Sequence, residues 1–191
     1  CKLSFFFLWL EKEKSCIFSF IEGESRKDTS QHNIKNVGTH LAKLHIITNK
    51  FNEKIKVRFD INFYNNIIKK KKVFFSKLDI DLNDIFNDTL ISYNSLYEKG
   101  LPKAIIHGDL FPDNVLFNND NKITGFLDFY FSDYNYMISD LAIVIISWCF
   151  YINQDNTYVL DFNKVDVLLK SYNSIRKIKN EEISALNIIC K

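Results

Sequence analysis

The segment Ile105-Ile106-His107-Gly108-Asp109-Leu110-Phe111-Pro112-Asp113-Asn114, followed by Gly125-Phe126-Leu127-Asp128-Phe129, constrains this chain more than any other feature. Apolar runs bound its acids, and Asn118-Asn119-Asp120-Asn121 supplies a turn between the two halves. A hairpin between Asp109 and Asp128 lets a short length of chain bring both acids to one mouth. Asn114, five residues after Asp109, adds an amide oxygen, and Pro112 stiffens the loop that joins them.

Taken singly, these residues are ordinary. Asp109 and Asn114 are turn formers, Asp128 is a strand-end cap, and His107 is a core histidine. Their order and spacing point to chemistry. A carboxylate can aim a hydroxyl while taking its proton. One carboxylate and one amide oxygen suit Mg²⁺ when phosphate and water oxygens complete its octahedron. Phosphoryl transfer from ATP needs this kind of positioning and charge neutralisation. Asp109 is therefore the candidate catalytic carboxylate, with Asn114 and Asp128 as candidate Mg²⁺ ligands.

The rest of the chain frames this segment. Leu3–Leu10 and Ser15–Ile21 read as a β-hairpin with a charged turn at Glu11–Lys14. Ser30 caps a predicted helix to about Thr48, whose Ile34, Val37, Leu41 and Leu44 recur at helical spacing. Asp60–Lys70 is a weaker helical stretch, and the lysines Lys69–Lys72 read as a solvated loop. Asp81–Lys99 is a helix stopped by Gly100 and Pro102. Strands are expected at Ala104–His107, Val115–Phe117 and Lys122–Asp128. A buried helix follows at Ser139–Phe150, then two helices capped by Asn163 and Asn180. The fold class is α+β, mainly helical after the hairpin.

Composition excludes several partners. A net charge of +2 gives no case for nucleic acid or an anionic membrane. Leu3–Leu10 is too short to span a bilayer. Cys1, Cys16, Cys149 and Cys190 form no knuckle or redox pair, so reduced thiols and a cytoplasmic setting are expected. His40 and His45 are five apart, poor zinc spacing, and with His32 they read as structural.

The pattern His107-x-Asp109-x4-Asn114, then Asp128 before an aromatic residue, resembles the protein-kinase-like fold. Gly108 after the histidine resembles its aminoglycoside-phosphotransferase and choline-kinase branch, since protein kinases usually place Arg there. H-G-D-L-F-P-D-N-V-L-F, L-D-F-Y-F-S-D and D-L-A-I-V-I-I-S-W-C-F are similar to the homoserine kinase family of that branch, over nearly the whole chain. The resemblance implies ATP- and Mg²⁺-dependent phosphorylation of the homoserine hydroxyl, a step toward threonine. It implies that residues 1–21 are the last hairpin of a small N-terminal lobe, 19–23 a hinge and 24–191 a helical lobe. Within it, the Ser19 carbonyl and Ile21 N–H would hold the adenine edge, His107 and Asp140 would brace the catalytic loop, and Asp113 or Asp133 would attract the substrate's amino group. It also implies chain before Cys1 and after Lys191, including a strand lysine and a phosphate-covering loop. Asp140 follows Asp128 by only twelve positions, which leaves little room for an activation loop and favours a small acceptor. The alternatives are a kinase for another small alcohol (choline, ethanolamine or an aminoglycoside) or a non-catalytic kinase lobe.

Overall fold

Ser30 sets where the first long helix begins. Its hydroxyl accepts the Asn33 N–H at 3.4 Å and starts α1 (Gln31–Thr48) in the computed structural model, which describes residues 5–10, 13–51, 57, 60–75, 82–98 and 100–190. Ile34, Val37 and Leu41 of α1 are fully buried. They pack against α4 (Met137–Trp148) and α5 (Phe162–Ile175), where Leu141, Val144, Trp148, Leu168 and Tyr172 are likewise closed to solvent. Each such large side chain contributes about 1.5–3 kcal/mol relative to exposure.

The α1–α5 contact is close because Gly38 has no side chain. A Cβ there would lie 2.2 Å from Ser171 Oγ and 2.9 Å from the Leu168 carbonyl oxygen. Gly38→Ala is expected to lower stability by about 1–3 kcal/mol, read as a shift of the urea midpoint. Adding Ser171→Ala should recover only part of that loss, since the carbonyl stays in place. Full recovery would mean that the helices part freely.

β1 (Phe5–Leu10) and β2 (Glu13–Phe18) form the expected antiparallel hairpin, with the turn residues 11–12 outside the described residues. The second arm ends at Phe18, and residues 19–23 have no regular structure. β3 (Glu24–Ser25), β5 (Val115–Phe117) and β6 (Ile123–Phe126) make a three-stranded sheet in the order β3-β5-β6. β4 (Lys103–Ile106) pairs antiparallel with β7 (Asp133–Tyr136), and β8 (Phe150–Ile152) with β9 (Tyr158–Leu160). Two helices, α2 (Ile61–Phe75) and α3 (Leu82–Glu98), lie between α1 and β4, and α6 (Asn180–Ile189) follows α5. The architecture is α+β, as expected.

Several expectations need correction. Lys69–Lys72 lie inside α2, which Asp60 starts by accepting the Phe63 N–H at 2.8 Å. A run of lysines does not break a helix, because lysine is a good helix former. The cap of α5 is Asp161, which accepts from the Asn163 and Lys164 N–H groups, so Asn163 is inside the helix. Asn180 is the first residue of α6. There Glu182 reaches back to the Lys179 N–H at 3.0 Å, which completes the start. Phe150 opens a strand and is not the end of α4.

Candidate active site

The loop from His107 to Asn114 is held from three sides. Below it, the fully buried Asp140 on α4 accepts the His107 N–H and the Gly108 N–H, each at 2.8 Å. Behind it, Trp148 Nε1–H donates to the Leu110 carbonyl at 2.9 Å. Beside it, His107 links two loops: Nε2 donates to the Leu127 carbonyl at 2.8 Å while Nδ1 accepts the Asp109 N–H at 3.2 Å. A carbonyl only accepts and an N–H only donates, so these bonds fix the histidine proton on Nε2. Gly108 has φ +80, and a Cβ there would sit 2.3 Å from the Phe131 carbonyl oxygen. Only glycine allows the loop to run this close to the segment after Asp128.

These braces bring the candidate residues together. Asn114 Nδ2 donates to the Asp109 main-chain oxygen at 2.8 Å and to its carboxylate at 3.3 Å. With the amide nitrogen so engaged, Oδ1 is the atom of the Asn114 amide that could meet a cation. The Leu127 N–H donates to the Asn114 carbonyl at 2.9 Å, which places Asp128 one residue from the Asp109–Asn114 pair. Asp128 is exposed, and its backbone is left-handed (φ 55°, ψ 67°). A non-glycine residue held there is strained by about 1–3 kcal/mol, a cost that collects at functional sites. Among the described residues no group of three His, Cys, Asp or Glu could hold a metal alone. A cation at Asn114 and Asp128 would need further oxygens from water or a phosphate, which suits Mg²⁺ with a nucleotide.

The other candidates fall in different places. Ser19 is exposed and Ile21 half-buried; Ile21 packs on β6, where a Cβ on Gly125 would stand 3.0 Å from its Cδ1. Asp113 is exposed on a 3₁₀ turn. Asp133 is buried and lines a cavity of about 580 Å³ walled by α2, α3, α4, α6 and the loops around Gly108 and Phe131.

Sequence reasoning gave His45 no particular partner. It is fully buried, with Nε2 donating to Asp140 at 2.9 Å and Nδ1 paired with the Tyr172 hydroxyl at 2.7 Å. Tyr172 also accepts from Arg176 at 3.3 Å, and Arg176 forms a two-pronged pair with buried Glu182 at 2.9 and 3.2 Å. The polar chain runs from α6 to the His107–Asn114 loop. Burial acts to push the Asp140 carboxyl up, but the His45 hydrogen bond and the Gly108 and His107 N–H groups outweigh it and hold the carboxyl below its ordinary range. Burial pushes the Cys149 thiol up to about 12, and that cysteine is free and inert.

Residues 9–166 match the phosphotransferase enzyme family. A homoserine kinase of Rhizobium etli is 29% identical over 95% of this chain and 55% of its own length. One of Rhizobium meliloti is 32% identical over 95% and 54%. The chain thus spans about half the length of the curated relatives it matches. Choline kinase LicA from Streptococcus pneumoniae shares the fold, with a TM-score of 0.64 at 16% identity over 98% of this chain and 62% of its own. The protein-kinase-like α+β fold is thereby shown.

Proposed function

The chain belongs to the phosphotransferase enzyme family, and from that premise we propose that it transfers the γ-phosphoryl group of ATP to the side-chain hydroxyl of homoserine, a cytoplasmic step toward threonine. The observation that carries this reading is the tie of Asp109 to Asn114, with Asp128 adjoining Leu127, whose N–H bonds the Asn114 carbonyl. The homoserine kinases at 29% and 32% identity support the choice of acceptor.

In this reading the Asp109 carboxylate accepts the hydroxyl proton as the acceptor oxygen bonds to the γ-phosphorus and the bond to the ADP oxygen breaks. Asn114 Nδ2 keeps that carboxylate aimed. Bound Mg²⁺, held by Asn114 Oδ1 and Asp128, would neutralise phosphate charge. Residues 19–23 act as the hinge, with the Ser19 carbonyl and Ile21 N–H meeting the adenine edge. His107 and Asp140 do no chemistry and hold the loop.

A panel of acceptors tests this. The full-length protein with ATP should phosphorylate homoserine with a kcat/KM at least about tenfold above choline, ethanolamine and an aminoglycoside, a gap of about 1.4 kcal/mol. Equal or better turnover of choline removes homoserine, and no turnover of any acceptor removes the enzyme.

A further inference from the structure

Among the described residues, only Trp148 is a larger fully buried side chain than Tyr172. Tyr172 carries a hydroxyl, and a buried hydroxyl needs partners. It has two. Arg176 donates to its oxygen at 3.3 Å, and His45 Nδ1 lies 2.7 Å away. A guanidinium has no acceptor, so the one proton of the hydroxyl goes to His45 Nδ1. Burial above all pushes the Tyr172 hydroxyl beyond its ordinary range, which keeps that proton in place. With Nδ1 accepting, the His45 ring proton sits on Nε2 and faces Asp140 Oδ2 at 2.9 Å. Every donation in this line runs toward the loop: Arg176 to Tyr172, Tyr172 to His45, His45 to Asp140.

The line ends beside the chemistry. Asp140 takes its other two hydrogen bonds from the His107 and Gly108 N–H groups, the two that precede Asp109. A turn of the Asp140 carboxylate therefore swings the peptides that aim Asp109. His45 is the third donor to that carboxylate and the one that comes from outside the loop. The start of the line is anchored on α6, through the two-pronged pair of Arg176 with Glu182. We infer that Tyr172 is a positioning residue for phosphoryl transfer. Its hydroxyl holds the His45 ring so that Nε2–H fixes Asp140, and through two N–H groups Asp140 fixes the aim of Asp109. The inference rests on the reading above, that Asp109 is the base of a phosphoryl transfer.

Tyr172→Phe in the full-length protein tests it, with ATP and whichever acceptor the panel shows to be turned over best. The variant keeps the ring and loses only the hydroxyl. Its kcat should fall about 3- to 10-fold, the mark of a reacting group slightly misplaced. The KM values for ATP and acceptor should stay within about twofold. Leu168→Val, one turn earlier on α5 and also fully buried, is the control. It should lower the urea midpoint too, yet keep kcat within about 1.5-fold. An unchanged kcat in Tyr172→Phe, or an equal kcat loss in Leu168→Val, would make Tyr172 merely structural and overturn the inference. If Tyr172→Phe does not fold, the ring-nitrogen NMR spectrum of the wild-type histidines decides. A bare Nδ1 on His45 with the proton on Nε2 supports the line of donors, and a proton on Nδ1 overturns it. Wild-type protein that turns over no acceptor sinks the phosphotransfer reading, and the inference with it, before any variant is compared.

Discussion

Asp109→Asn in the full-length protein is expected to cut kcat about 10²- to 10⁴-fold, the usual contribution of a positioned general base. ATP affinity should hardly change. The substitution keeps the shape of the side chain and removes its ability to take a proton. The loop should survive, because its braces are made by other atoms: Asn114 Nδ2 to the Asp109 main-chain oxygen, Trp148 to Leu110, and Asp140 to two N–H groups. Steady-state turnover and nucleotide titration on the same preparation check both halves. Loss of nucleotide binding together with turnover would mean that the loop had collapsed. Turnover within about threefold of wild type would remove Asp109 as the base.

The parts of this protein that could be read from sequence are those whose causes are local. Ser30, the stripe of α1, and Gly100 with Pro102 each act within a few residues, and those elements appear where expected. The strand at Val115–Phe117 was legible because a polar turn follows an apolar run. That Asp109 and Asn114 belong to one short, proline-stiffened loop was legible, but the bond from Asn114 Nδ2 to the Asp109 main-chain oxygen was not.

What was hidden depends on distant partners. β7 buries Asp133 and Tyr136 and exposes Tyr134, the reverse of what polarity suggests for Asp133 and Tyr134; what lies around each is set by elements distant in sequence, beginning with the partner strand β4. β8 was hidden because Phe150-Tyr151-Ile152 continues the apolar run of α4 with no glycine or proline between. Its turn to β9 is built instead by Asn153, whose side chain accepts the Asp155 and Thr157 N–H groups, and by Asn156 at φ 57. His45 falls on the buried stripe of α1, but nothing near it in sequence points to Asp140, 95 residues away.

That pair makes the second large effect. Asp140→Asn is expected to lower stability by about 3–5 kcal/mol, as when one member of a buried pair is removed. The arrangement of donors explains why an isosteric amide fails. Oδ2 accepts from the His107 N–H and His45 Nε2, and Oδ1 accepts from the Gly108 N–H. Whichever way an asparagine turns, its NH₂ meets at least one of these donors head on. Acid should reveal the same bonds. The folded carboxyl sits below its ordinary value, so its stabilisation is complete above the unfolded value near pH 4 and is lost as pH falls through the lowered folded value. Because Asn does not titrate, the stability gap between wild type and Asp140→Asn should be constant between about pH 5 and 7 and should shrink below about pH 4. Urea unfolding at a series of pH values measures that gap. A gap that stays constant down to about pH 2 would show that the carboxylate is not held by these donors, and the brace on the catalytic loop would have to be sought elsewhere.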